Sequence, residues 1–306
     1  MLTTARLEQQ LASPLEQAPT ALAAGRQLLL KREDSHELGA FKWRGALPSL
    51  ERYRDAGASA VITASTGNHG AATAWAAERV GLQAVVYVPE RASQAKLELL
   101  RQLGADVRPA GADVDEAKDA ARAHAERESL PFFEDGAEPV QFDGYAAIGH
   151  EIVEQLGERP ALTVVPVGNG ALLIGVARGL GGGALGVVSR GAPVMALSVE
   201  AGRPVECDLC ATFADGMAVR VAVPLAVEEL VALGTPLVQV SERAIARAVG
   251  AFHSAGIRVE GSTAAALAAL DEVSAPDGPI VLIVTGHNID DELHRRAVEQ
   301  PDSFRG

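Results

Sequence analysis

From residue 60 onward, short β-branched runs alternate with stretches of helical periodicity. Ala60-Val61-Ile62-Thr63 predicts a strand and 68–80 an alanine-rich helix. The run 82–88, closed by Pro89, predicts the next strand; 92–103 predicts a helix with Leu97, Leu100 and Leu103 on one face, ended by Gly104. The unit repeats, with a short strand at 106–108, a charged helix over 113–129 and a strand at Pro131-Phe132-Phe133. A helix over 145–156 leads to a strongly apolar strand at 162–167, a helix over 171–180, a glycine-rich turn and a strand at 194–199. Helices over 242–254, capped by Ser241, and 262–273 precede a last strand at 279–284. Strands alternating with helices predict mostly parallel sheets covered by helices. No repeat or low-complexity linker divides the chain, so two interlocked α/β domains are expected. The smaller covers about 56–137, and the larger 1–55 with 138–306.

Composition narrows the partners. Among 306 residues, 48% are apolar and 22% charged, an ordinary globular balance, and the net charge of −13 disfavours nucleic acid and anionic membrane. Arg6, Glu8 and Glu16 interrupt the N-terminal region, so no export signal is expected; the most hydrophobic stretch, 171–188, is cut by Arg178 and crowded with glycine, so no membrane span is expected either. A cytoplasmic protein is the expectation. Cys207 and Cys210 form a CxxC without a second pair, and Glu206 and Asp208 disfavour a redox thiolate, so they read as plain thiols.

Candidate chemistry sits in four stretches. Gly39-Ala40-Phe41-Lys42-Trp43-Arg44-Gly45-Ala46 holds one lysine among apolar and glycine neighbours. A desolvated amine is available as a nucleophile, although most lysines in such company carry their charge out to water. Ser65-Thr66-Gly67-Asn68-His69-Gly70 lies between a strand and a helix, where the first helical N–H groups can bind a carboxylate or simply be capped. Gly168-Asn169-Gly170-Ala171 follows a more buried strand and suits a phosphate. A dinucleotide reading of 162–200, with Glu200 as the ribose acid, is weakened by Leu173 where a third glycine belongs. Thr285-Gly286-His287-Asn288 ends the final strand in the same manner. Strand-end loops shaped for anions, plus an amine, suit a small molecule carrying phosphate and an aldehyde, as pyridoxal phosphate does.

These motifs, in this order and from Lys31-Arg32-Glu33-Asp34 to Thr285-Gly286-His287-Asn288, resemble the fold-type II pyridoxal-phosphate enzymes. That group includes serine and threonine dehydratases, serine racemase, threonine synthase and the tryptophan synthase β subunit. The resemblance implies two interlocked three-layer α/β domains, a homodimer, and pyridoxal 5'-phosphate as cofactor. It implies that Lys42 carries the cofactor as a Schiff base, that Phe41 covers one ring face, and that Asn68 bonds the ring's phenolic oxygen. Ser65, Thr66, Gly67, Asn68 and His69 would form the substrate-carboxylate loop. Gly168, Asn169, Gly170 and Ala171 match the phosphate cradle, Gly216 the small residue on the other ring face, and Thr285 the partner of the pyridine nitrogen.

A hydroxyl at Thr285 stabilises a pyridinium weakly, which favours elimination over transamination. The expected reaction is dehydration and deamination of a small β-hydroxy amino acid, such as serine or threonine, to a keto acid and ammonia. Lys42 would remove the α-proton, and Thr66 is the candidate acid/base on the opposite face. The run 212–219 and the helix start Ser241-Glu242-Arg243 resemble the dehydratase branch, whereas Ala40, Asn169 and Thr66 depart from it. Racemisation and β- or γ-replacement therefore stay open, as does a ligand-binding member without catalysis. Glu200, with Glu206 six residues on, matches the acidic ligand of a Mg²⁺ or Ca²⁺ site in racemase-like members, or else is a solvated carboxylate.

Overall fold

The structure is a computed structural model that describes residues 12–274 and 276–305. Arg6 and Glu8, which bear on the export expectation, lie outside the described residues. In chain order the strands are β1 (Leu15–Gln17), β2 (Leu28–Arg32), β3 (Ala60–Ala64), β4 (Gln83–Val88), β5 (Asp106–Pro109), β6 (Leu162–Pro166), β7 (Ala184–Ser189), β8 (Leu237–Val240) and β9 (Ile280–Val284). The chain divides into two units. One runs up to Phe41 and resumes at Tyr145; the other is Lys42–Gly144. Among the described residues no helix is long and apolar enough to cross a membrane.

The larger unit carries a six-stranded sheet in the order β1-β2-β9-β6-β7-β8, parallel except for β1. Its central strand β9, Ile-Val-Leu-Ile-Val, is buried at all five positions, as expected of a parallel strand with both faces covered. β2 pairs with it from Leu28 opposite Ile280 to Arg32 opposite Val284. Lys31 in β2 is wholly buried, and its ammonium donates to Ser13 O at 2.7 Å and to Glu151 at 2.5 Å. A carboxylate partner and a carbonyl make that burial tolerable.

The helices Pro139–Leu156 and Ala171–Leu180 approach at their backbones. A Cβ on Gly149 would lie 2.6 Å from Leu180 N and from Val176 O, and one on Gly179 would strike Ala146 O. This contact fixes the helix that follows Gly168-Asn169-Gly170.

The smaller unit holds the parallel sheet β3-β4-β5. Residues 42–55, assigned from sequence to the larger domain, belong here, as do 138–144. The helix Trp43–Asp55 buries Leu47 and Leu50, and Trp43 meets Trp75 of the helix Asn68–Val80 edge-on, with ring centroids 5.9 Å apart. Its apolar face thus packs within this unit. The segment 131–133 joins β3 by a single bridge, Ile62 to Phe132, and forms no full strand.

One further expectation is overturned. Val194–Ala201 is a helix, not a strand, and its Ser198 hydroxyl donates back to Val194 O at 2.7 Å. The strand after the glycine turn is β7, whose Ala and Gly obscured it by their low strand propensity. Glu200 therefore sits near an exposed helix end, which removes the ribose acid of the dinucleotide reading.

Replacing Gly149 by Ala should push the two helices apart. The expected cost is about 1–3 kcal/mol, read as a lowered urea midpoint.

Candidate active site

In the larger unit, the segment before Lys42 is laid against the end of β9. Phe41 N–H donates to Thr285 O at 3.1 Å, His287 N–H donates to Gly39 O at 3.1 Å, and Ala40 bridges Gly286. Gly39 adopts φ +64°, and a Cβ there would come within 2.6 Å of the His287 ring. Ala40 is buried at this bridge and Phe41 is buried against Tyr145, with ring centroids 5.2 Å apart.

The Thr285 hydroxyl donates to the buried Glu260 carboxylate at 2.8 Å and lies 3.0 Å from Thr263 Oγ1. With its one proton given to Glu260, it presents lone pairs elsewhere. Glu260 and Thr263 were not singled out from sequence. Each lies in the run Glu260-Gly261-Ser262-Thr263, a helix start whose chemistry shows only once β9 is beside it.

The second glycine loop leads into the helix Ala171–Leu180. Gly170 at φ +98° is its N-cap, without a side-chain cap bond. Asn169 accounts for one departure: its Oδ1 accepts from Ala171 N–H at 3.0 Å, so the side chain satisfies a first-turn donor. A Cβ on Gly168 would strike the Gly216 carbonyl oxygen, so the structure brings these two glycines together. Beside Gly216 lies Ser262, whose buried Oγ has no hydrogen-bond partner and would sit 2.6 Å from a Cβ at Gly216.

In the smaller unit, Lys42 immediately precedes the helix Trp43–Asp55. Its amine does not rest among apolar groups, as the flanking residues suggested; it donates to Asp135. Asp135 also faces His69, with Oδ1 3.7 Å from Nδ1. The His69 ring is therefore turned inward, its Nε2 at 3.1 Å from Thr63 Oγ1 and 3.2 Å from Phe133 O. Only its backbone is left for the carboxylate loop. In that loop Ser65 Oγ accepts from Gly67 N–H at 3.1 Å, Thr66 is half-buried, and Asn68 opens a helix that has no side-chain cap bond. A Cβ on Gly70 would meet Ser65 O at 2.5 Å, which holds the loop tight against its helix. Asp135 was missed because Glu134-Asp135-Gly136 looks like an ordinary acidic turn.

Glu200 and Glu206 are both exposed, and no cluster of three His, Cys, Asp or Glu side chains able to hold a metal ion occurs among the described residues. Cys207 and Cys210 are half-buried.

A family model described as pyridoxal-phosphate dependent enzyme matches residues 8–286. The chain belongs to this family. It is 33% identical over 275 residues to the L-threonine ammonia-lyase of Geobacter sulfurreducens, covering 87% of this chain and 68% of that one. Among solved structures it resembles the processed form of threonine deaminase isoform 2 from Solanum lycopersicum, with TM-score 0.88, 30% identity and coverage of 96% and 89%. It also resembles maize serine racemase, with TM-score 0.83, 26% identity and coverage of 95% and 93%.

The residues present fit the family's cofactor. A glycine-lined turn at a helix start whose N-cap is Gly170 suits a phosphate, and the buried Ser262 hydroxyl beside Gly216 awaits a polar partner. Gly168→Ala should fill the turn against Gly216 and weaken pyridoxal phosphate binding about tenfold or more, read by titrating the visible band.

Proposed function

We propose that the chain is a pyridoxal-phosphate-dependent ammonia-lyase that converts a small β-hydroxy amino acid, such as serine or threonine, to a keto acid and ammonia. The observation that carries this reading is the kinship with L-threonine ammonia-lyase over 87% of the chain; the resemblance of the stretches around Lys42, Asn68, Gly168 and Thr285 to the family's motifs supports it. In this reading Lys42 attaches the cofactor, Asn68 bonds its phenolic oxygen, and Phe41 and Gly216 lie against its two ring faces. Residues 168–171 hold its phosphate, and Thr285 meets its ring nitrogen.

When bound, pyridoxal phosphate supplies the electron sink that makes an α-proton removable. The chain's own residues do the rest. Ser65 and Thr66 hydroxyls, with backbone N–H groups of 67–69, hold the substrate carboxylate; the uncapped helix start favours that charge. The Lys42 amine takes the α-proton, and Thr66 is the acid/base candidate for the other face. Thr285, its proton on Glu260, offers the ring nitrogen a lone pair, so a protonated nitrogen is the form it accepts from. The carboxylate behind the hydroxyl therefore makes the site less neutral at that atom than Thr285 alone implies. The resemblance further supports a homodimer in the cytoplasm.

The purified chain should show a visible band with pyridoxal phosphate and release keto acid from serine or threonine. Lys42→Ala should lose the band and about 10³-fold of the turnover. A wild-type chain without the band under saturating cofactor would overturn the cofactor reading. Loss of optical activity without keto acid would replace elimination by racemisation.

A further inference from the structure

Asp135 lies between two groups that compete for it. One carboxylate oxygen accepts from the Lys42 amine; the other faces His69 Nδ1 at 3.7 Å. The far nitrogen of that ring decides which tautomer is present. Thr63 donates its hydroxyl proton to Phe133 O at 2.8 Å, so both neighbours of His69 Nε2, that carbonyl and the Thr63 oxygen, are acceptors. Nε2 therefore carries the proton. In the neutral ring Nδ1 is then a lone pair facing a carboxylate, and the contact becomes attractive only when Nδ1 gains a proton as well.

The charges around His69 show when that happens. Burial is the largest influence and holds the imidazole below its ordinary range. Asp135 pulls it up, the Lys42 ammonium pushes it down, and the Phe133 carbonyl and Glu134 pull it up. Glu134 is itself engaged by Lys118 and Arg122. The contribution that changes during function is Lys42.

We propose that Asp135 is the counter-ion of Lys42, a positioning residue that stabilises the ammonium whenever the amine is not bonded to the cofactor, and that it turns to His69 when the amine is taken up. This rests on the pyridoxal-phosphate reading above. As the Lys42 nitrogen forms its C–N bond to the cofactor's aldehyde carbon, the aldehyde oxygen leaves as water with two of the ammonium's protons. The nitrogen keeps the third and stays cationic, but its donors fall from three to one, so the carboxylate loses the ammonium it accepted from. Asp135, without that partner, favours a solvent proton on His69 Nδ1. When substrate displaces Lys42 and the amine takes the α-proton, the ammonium forms again beside Asp135. The pair thus stabilises charge in the direction of proton removal.

The test uses the full chain freed of cofactor and reductively methylated with formaldehyde and cyanoborohydride at neutral pH, with peptides counted by mass spectrometry. Lys42 in Asp135→Asn should react about tenfold faster than in the wild type, the change expected on removing a close opposite charge. Asp135→Glu, which keeps the charge, should return to the wild-type rate. An unchanged or slower rate in Asp135→Asn overturns the proposal, as does a rise shared by the exposed Lys96, which would report loosened structure instead. Histidine side-chain ¹⁵N spectra read the second half: on loading with pyridoxal phosphate, His69 Nδ1 should gain a proton in the wild type. A His69 signal unchanged by loading overturns the exchange. A wild-type chain that forms no visible band rejects the cofactor reading and not the ion pair, because the labelling comparison needs no cofactor.

Discussion

The pairing of 39–41 with 285–287 is the constraint from which the larger unit's chemistry follows. Two backbone hydrogen bonds seat Phe41 against Thr285 and His287 against Gly39. They form only because Gly39 reaches a left-handed conformation and Gly286 lacks a side chain that Glu260 and Gly39 O would obstruct. The pairing delivers Phe41 to Tyr145, sets the Thr285 hydroxyl on Glu260, and leads the chain directly into Lys42. Ala40 occupies the bridge itself, where a buried position favours a small apolar residue over a hydroxyl that would need a partner. That gives the departure at Ala40 a physical account.

Much of this was legible in the sequence because period and punctuation agree. The helices 68–80, 171–180 and 242–254 begin and end where their caps and glycines place them. The strand at 194–199 failed because Val-Met-Ala-Leu-Ser-Val suits a strand or a buried helix equally, while the six-residue β7 is hidden by its Ala and Gly. The fate of 42–55 was illegible for another reason: which unit a helix joins depends on Trp75 and the helix around it, not on its own pattern. At the site, single residues with family counterparts could be named. Partners that act through them could not: Asp135 lies 93 positions from Lys42 and Glu260 lies 25 from Thr285, and no spacing rule joins such pairs.

The carboxylates so found change how the chemistry is understood. Lys42 offered in sequence only its apolar neighbours; in the structure its amine donates to Asp135. Thr285 read as a neutral contact; it is a hydroxyl oriented by a buried acid. In both cases an acid distant in sequence accepts from the reactive group, so these groups are oriented by pairs and not by local hydrophobicity alone.

The order in which the strands are joined has a consequence for synthesis. β3, β4 and β5 are neighbours both in sequence and in their sheet, within one continuous stretch, Lys42–Gly144. β2, in contrast, pairs with β9, and Lys31 waits for Glu151, 120 residues on. A chain leaving the ribosome at roughly 5–20 residues per second can complete the smaller sheet well before the larger one has its central strand. Until β9 emerges, β2 presents an unpaired apolar edge, a stretch of the nascent chain in need of a chaperone.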